Sequence, residues 1–154
     1  MSSTDTSTET PEVGTIDMNL EVVTVPVSDV DRAKAFYQSL GWRLDIDLVV
    51  SDDLRTVQFT PPHSGCSIQF GKGGTTAEPG SAQGLILVVG DIDAVREDLV
   101  SRGVEVSEVQ EARPPDFDSP GRSYFARASF SDPDGNTWEL QEITTRLPGR
   151  EWEN

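Results

Sequence analysis

Few side chains in this 154-residue sequence are equipped for chemistry. There is one histidine, His63, one cysteine, Cys66, and a glutamate, Glu139, set between Trp138 and Leu140. His63 sits in Pro61-Pro62-His63-Ser64-Gly65, a turn segment, where an imidazole is expected at the surface rather than at work as a base. Cys66 has no partner for an intrachain disulfide and no sequence neighbour that would favour its thiolate, so a packing role is expected. Glu139 differs. Strand alternation sends Trp138 and Leu140 to a core and Thr137, Glu139 and Gln141 to the opposite face. A carboxylate there is either solvated or acts as a general base or hydrogen-bond acceptor. Gln69, between Ile68 and Phe70 and on the same face as Ser67, is its amide counterpart.

The elements that position these residues come in two similar sets. Val23–Asp45 and Leu85–Ser107 superimpose at an offset of 62 residues, with Asp29 on Asp91, Asp31 on Asp93, Ser39 on Ser101 and Gly41 on Gly103. In the first set, Leu20–Val27 reads as a strand. Val30, Ala33, Tyr37 and Leu40 form an apolar stripe at helical spacing, capped by Ser28 or Asp29 and stopped by Gly41. Strands are expected at Trp42–Val50, Leu54–Thr60 and Cys66–Gly71. The second set gives a strand at Leu85–Val89, a helix at Ile92–Arg102 and a strand at Val104–Val109. A loop follows over Gln110–Arg122, then strands at Ser123–Phe130 and Asn136–Ile143 joined by Asp132-Pro133-Asp134-Gly135. The carboxylates Asp29, Asp31, Asp91 and Asp93 suit caps and first-turn positions of the two helices. Trp42, Trp138, Phe36 and Tyr37 are expected in the core.

The fold class is therefore α+β, with two βαβββ modules in one domain over residues 19–144. Module one covers 19–72, a Gly/Thr/Pro/Ser linker 73–82, and module two 83–144. Residues 1–18 are expected to be a disordered tail, and 145–154 a short polar tail. A net charge of −15 argues against nucleic acid and anionic membrane surfaces as partners. With no apolar run of membrane-spanning length and no signal-like start, a cytoplasmic protein is expected.

Several motifs resemble the vicinal-oxygen-chelate superfamily, which includes glyoxalase I, extradiol dioxygenases and the fosfomycin- and bleomycin-resistance proteins. They are Val27-Ser28-Asp29-Val30-Asp31-Arg32-Ala33 with Phe36-Tyr37 and Leu40-Gly41, Val89-Gly90-Asp91-Ile92-Asp93, and Phe130-Ser131-Asp132-Pro133-Asp134-Gly135-Asn136 with Glu139-Leu140. The resemblance spans about residues 19 to 144. It implies a cupped, incomplete mixed β-barrel, the glyoxalase/bleomycin-resistance fold. It also implies a homodimer in which modules of different subunits can share a cleft.

In metal-using relatives the implied ligands, His or Gln, Glu, His and Glu, stand at the first and last strands of each module. Such a set leaves coordination sites open for a chelating substrate, whose enediolate the metal stabilises, or for dioxygen. Here strand phase assigns Val22, Gln69, Gly84 and Glu139 to the four positions. Only Glu139 matches, so no metal is expected. The alternative is a degenerate site of Glu139 and Gln69 for nickel, zinc, manganese or iron. A one-residue slip would bring Glu21 inward instead.

By the same phase the cup is lined from the first strands by Val22, Thr24 and Pro26, and by Ile86 and Val88. The last strands contribute Ser67 and Gln69, and Thr137, Glu139 and Gln141, while Tyr124, Arg122 and Arg127 lie on or beside a rim loop. No arginine or lysine is expected on the inner face, which disfavours phosphates. The acidity of the chain favours a neutral or cationic organic ligand. Three functions remain open: a metal-independent small-molecule binder like the bleomycin-resistance proteins; a lyase, isomerase or dioxygenase using Glu139 as base or metal ligand; or an interaction protein with a vestigial cup. Fold alone does not choose among them.

Overall fold

The computed structural model describes residues 12–116 and 121–147. The chain runs β1 (Val22–Thr24), α1 (Val30–Ser39), β2 (Arg43–Ser51), β3 (Leu54–Thr60), β4 (Ser67–Lys72), β5 (Leu85–Val89), α2 (Ile92–Ser101), β6 (Gln110–Glu111), β7 (Ala126–Ser131) and β8 (Thr137–Glu142). Two four-stranded sheets result, in the orders β1-β4-β3-β2 and β5-β8-β7-β6. The first strand of each module runs parallel to the last, and the remaining pairs are antiparallel. This is the expected two-module α+β architecture. Among the described residues no ladder joins the two sheets.

The helices begin where short acidic side chains replace missing backbone partners. Asp29 accepts from the Arg32 N–H and Asp91 from the Ala94 N–H. Gly41 follows α1 with φ of 83°, a conformation that costs glycine little. Ala33 and Tyr37 of α1, and Ile92 and Leu99 of α2, are buried against their sheets. One aromatic cluster crosses the module boundary. The Tyr37 ring lies 5.5 Å from Trp42 and from Phe70, and 6.1 Å from Trp138. Trp138 in turn stacks on Phe130 at 6.2 Å. Burying each such ring stabilises the fold by about 1.5–3 kcal/mol, before any edge-to-face preference.

Polar contacts fix how the modules meet. The Pro26 carbonyl, just past β1, accepts from the Gly80 N–H at 3.1 Å and from Asn136 Nδ2 at 2.8 Å. Asp134 Oδ1 accepts from the Ser28 N–H at 3.1 Å, and Arg32 pairs with it at 3.2 Å. Pro26 is thus buried in the junction, not set in the cup as its strand phase suggested.

Three expected strands are shorter than their patterns. β1 stops at Thr24, and the Pro26 carbonyl beyond it turns to Gly80 and Asn136. Val104–Val109 forms no strand, although Val104 and Val106 are buried. Its carbonyls at Val106 and Ser107 accept from the Arg96 guanidinium at 3.2 and 2.7 Å, and the Ser107 N–H donates to the Ser129 carbonyl of β7 at 2.9 Å, so the segment is tied to α2 and to β7 without forming a strand. β6 falls instead at Gln110–Glu111, within the expected loop, of which 117–120 lie outside the described residues. β7 begins only at Ala126, because Arg122–Ala126 turns, with the Phe125 and Ala126 N–H groups donating to the Arg122 carbonyl. Residues 12–18 form neither helix nor strand, and the tail expectations for 1–11 and 148–154 fall outside the described residues. Among the described residues no helix is long and apolar enough to cross a membrane.

Candidate functional site: the inner faces of the two sheets

The register of the sheets fixes which residues share a face. On the first sheet Thr24 pairs with Gln69. On the second Ile86 pairs with Glu139. Thr24 and Ile86 are 62 residues apart, the offset of the sequence echo, so Gln69 and Glu139 are structural equivalents. Val22 lies beside Ser67, and Gly84 donates its N–H to Thr137 Oγ1 at 2.7 Å. The four positions named from sequence therefore stand at corresponding points of the two sheets. They hold an alkyl group, an amide, a bare glycine and one carboxylate. Among the described residues no three His, Cys, Asp or Glu side chains are grouped to hold a metal ion.

Glu139 has an unexpected neighbour. In the β7–β8 ladder Arg127 faces Gln141 and Ser129 faces Glu139. β7 buries Ala126, Ala128 and Phe130 and exposes Arg127, Ser129 and Ser131. Arg127 therefore stands on the inner face, where its Nη1 donates to Glu139 Oε1 at 3.2 Å. This corrects the expectation of an inner face without cations. Alternation along β7 contained the signal: Arg127 lies between the two buried alanines, but extending the strand back to Ser123 obscured it. The pair lines a pocket of about 270 Å³ with Ser107, Gln110, Phe125 and Ser129.

Tyr124 shapes the same corner from beneath. Its backbone adopts φ of 72°, a left-handed conformation that costs a bulky residue about 1–2 kcal/mol. The turn directs its carbonyl at two side chains, Gln141 Nε2 at 3.0 Å and Arg127 Nε at 3.5 Å. Gln141 is on the expected face but is covered, and its amide is committed to that carbonyl. The Tyr124 hydroxyl accepts from the Leu147 N–H at 3.1 Å. Arg122 pairs with Asp93 at 3.1 Å and with Glu142 at 3.3 Å, tying α2 to β8.

On the first sheet the polar side chains bond to one another. Gln69 Nε2 donates to Thr24 Oγ1 at 3.2 Å. Ser67 is buried, sharing a hydrogen bond of 2.6 Å with the Thr60 hydroxyl, which donates to Asp45. Burial alone would raise the Asp45 carboxyl, but hydrogen bonds from Thr60, Arg43 and Gln58 outweigh it and hold the group below the usual range. Ile46 and Leu48 of β2, cross-strand from Gln58 and Thr56, are exposed at 44% and 54%. Ile86 and Val88 of β5 are exposed at 51% and 47%. Thr24 and Gln69 line a separate hollow of about 40 Å³ on the first sheet, apart from the pocket at Glu139. His63, with φ of 64°, is an exposed turn residue, and Cys66 is half-buried. Glu21, the residue a register slip would bring inward, is exposed, and its carbonyl accepts from the Ser67 N–H.

A separate apolar cavity of about 360 Å³ lies between the modules on the helix side, among Trp42, Pro61, Pro62, Leu87 and Leu99.

Solved structures similar to this chain share its fold. An antibiotic-binding protein, TnmS3, from Streptomyces sp. CB03234 is 31% identical, with a TM-score of 0.68 over 85% of this chain and 100% of that one. A glyoxalase/bleomycin-resistance protein from the same organism is 33% identical, with a TM-score of 0.62 over 80% and 99%. The fosfomycin-resistance protein FosX from Listeria monocytogenes, at 20% identity and a TM-score of 0.56 over 84% and 96%, shares the fold alone. No curated protein matches in sequence. The family model for the Glyoxalase/Bleomycin resistance protein/Dioxygenase superfamily matches residues 19–140, and the chain belongs to that superfamily.

Proposed function

We propose that this protein binds a small organic molecule on its inner sheet faces without a metal, in the manner of a sequestering resistance protein. The observation that carries this reading is the Glu139–Arg127 pair. The one carboxylate at a family ligand position is engaged by a guanidinium of its own sheet, and the equivalent positions are Val22, Gly84 and Gln69. Such a set does not suit a transition metal, which needs several histidine, carboxylate or thiolate donors. The surrounding surface favours an organic ligand: apolar Ile86 and Val88 beside a few polar groups. The similarity to an antibiotic-binding protein at 31% identity supports the same class of ligand.

The complete cup belongs to a homodimer in this reading. One chain leaves Ile46, Leu48, Ile86 and Val88 about half exposed, and its pockets at Gln69 and at Glu139 are separate. Exposed apolar faces of this kind mark interaction surfaces.

Purified protein, analysed by native mass spectrometry and elemental analysis, tests both parts. The expected species is twice the 16.8 kDa chain mass, carrying organic ligand at sub- to full stoichiometry and no stoichiometric nickel, zinc, manganese or iron. A tightly held stoichiometric metal would overturn the reading. So would a ligand that is turned over by the wild type but not by E139Q, since that outcome makes Glu139 a catalytic base.

A further inference from the structure

We infer that Arg127 is an anchor for an acidic oxygen of the ligand, so that the cup selects organic molecules pairing an apolar body with a carboxylate, phenolate or sulfonate. This inference rests on the organic-ligand reading and deepens it. A guanidinium carries five N–H donors in a planar fork. Arg127 commits Nη1 to Glu139 at 3.2 Å, and its Nε makes only a long 3.5 Å contact with the Tyr124 carbonyl. Its Nη2 has no partner among the described residues, and the side chain remains 47% exposed. The edge formed by Nε and Nη2 can therefore donate to two oxygens of an anion, which replace the weak Tyr124 contact, while Nη1 stays on Glu139.

The pocket around it is rich in donors. The Gln110 amide and the Ser129 hydroxyl line it and make no hydrogen bond among the described residues. Ile86, cross-strand from Glu139, and Val88 beyond it provide the apolar surface for the rest of the molecule. Glu139 is the stronger of two contacts on the guanidinium, and the Tyr124 carbonyl is a weak one that a ligand oxygen can replace. The Tyr124 carbonyl is turned towards the guanidinium by a left-handed backbone that strains the chain. Such strain is concentrated at sites where orientation matters. With a net charge of −15, the chain repels anions at long range. Selectivity for an acidic ligand therefore needs a local cation, and screening confines the long-range repulsion to about 8 Å at physiological salt.

Two fluorescent probes that differ by one charge test this: 1-anilinonaphthalene-8-sulfonate and its uncharged parent, N-phenyl-1-naphthylamine. Each is titrated into wild-type protein, R127Q and E139Q, with circular dichroism confirming the fold of each variant. In R127Q the affinity for the sulfonate should fall by about tenfold relative to the neutral probe, the loss expected for one charge-assisted anchor. In E139Q, which frees the guanidinium from its carboxylate, the sulfonate should bind several-fold tighter while the neutral probe is unchanged. If R127Q does not fold, E139Q decides alone, and unchanged or weaker sulfonate binding overturns the inference. A sulfonate-to-neutral ratio that R127Q leaves unaltered also overturns it, placing the anion elsewhere, as in the apolar cavity beside Trp42. In both cases binding of the neutral probe leaves the organic-ligand reading standing. Binding of neither probe to the wild type would overturn both.

Discussion

The Tyr37 hydroxyl, on the helix of module one, donates to Asp132 Oδ2 at 2.8 Å in the β7–β8 turn of module two. It also accepts from Trp138 Nε1 at 3.0 Å, and Tyr37 is wholly buried. Asp132 is itself saturated: its Oδ1 accepts from the N–H groups of Asp134 and Asn136, and its Oδ2 from Asn136 Nδ2. One phenol therefore links the helix, the turn and the aromatic cluster. Y37F would leave a buried carboxylate oxygen and an indole N–H each one partner short. A loss of about 1–3 kcal/mol in urea unfolding is expected, without a change in its denaturant slope. Burial first, and then the Asp132 charge, raises the Tyr37 phenol far above its usual 10.0. The raised group contributes stability that is complete below the ordinary phenol range and is lost as pH rises above it. Y37F should show a shallower decline on the alkaline side than the wild type.

Acid stability depends on a different group. Asp47 on β2 accepts from Arg55 Nε at 3.0 Å and from Lys34 Nζ at 2.7 Å. Hydrogen bonds from Arg55, then Lys34, hold its carboxyl far below the usual 3.8. A depressed carboxylate contributes stability that is present above the unfolded value and is lost as pH falls through and below it. D47N should therefore be less stable than wild type at pH 7, by about 1 kcal/mol given the partial exposure of the cluster. The gap between the two should narrow as the pH is lowered from 5 towards 2. Urea midpoints across that range measure it.

The two modules, their helix caps and the core faces were legible because each rests on a local pattern. Asp29 and Asp91 cap helices whose buried residues follow the helical stripe, and Trp138 and Leu140 are buried at alternate positions as their strand requires. What the pattern missed depends on long-range partners. Val104 and Val106 carry a strand-like alternation, yet Arg96 takes the carbonyls of Val106 and Ser107, and no periodicity announces that. Likewise the Arg127–Glu139 pair follows from the β7–β8 register, which a sequence gives only to within a residue or two. Pro26 shows the same limit from the other side, since its partners Gly80 and Asn136 lie 54 and 110 residues away.

Two glycines on the inner faces should respond to alanine for different reasons. At Gly71 on β4 an added Cβ would lie 1.8 Å from the Arg55 carbonyl oxygen, backbone that cannot move without parting β3 from β4. G71A should cost at least about 1–3 kcal/mol, the range for overpacking. At Gly84 a Cβ would meet nothing within 4 Å, and only φ of 71° opposes it. G84A should cost about 1 kcal/mol and leave the neighbouring strands in place. Chemical denaturation of the two variants, with far-ultraviolet circular dichroism, separates a clash from a strained backbone.

Ile86 offers the sharpest separation between folding and assembly. It lies cross-strand from Glu139 on the inner face and is 51% exposed in the single chain. A charge placed there disturbs little of the core, so I86E should lose no more than about 1 kcal/mol of chain stability. Across a shared cup, however, the new carboxylate would stand beside Glu139 and face a second apolar surface, and Arg127, already paired with Glu139, would offset only part of the desolvation of two adjacent carboxylates. Sedimentation should then show I86E at the 16.8 kDa chain mass where the wild type sediments at twice that value. Wild-type thermal unfolding should shift upward with protein concentration, and that of I86E should not. A variant that dimerises like the wild type would place the interface away from β5 and would require the cup to be built within one chain.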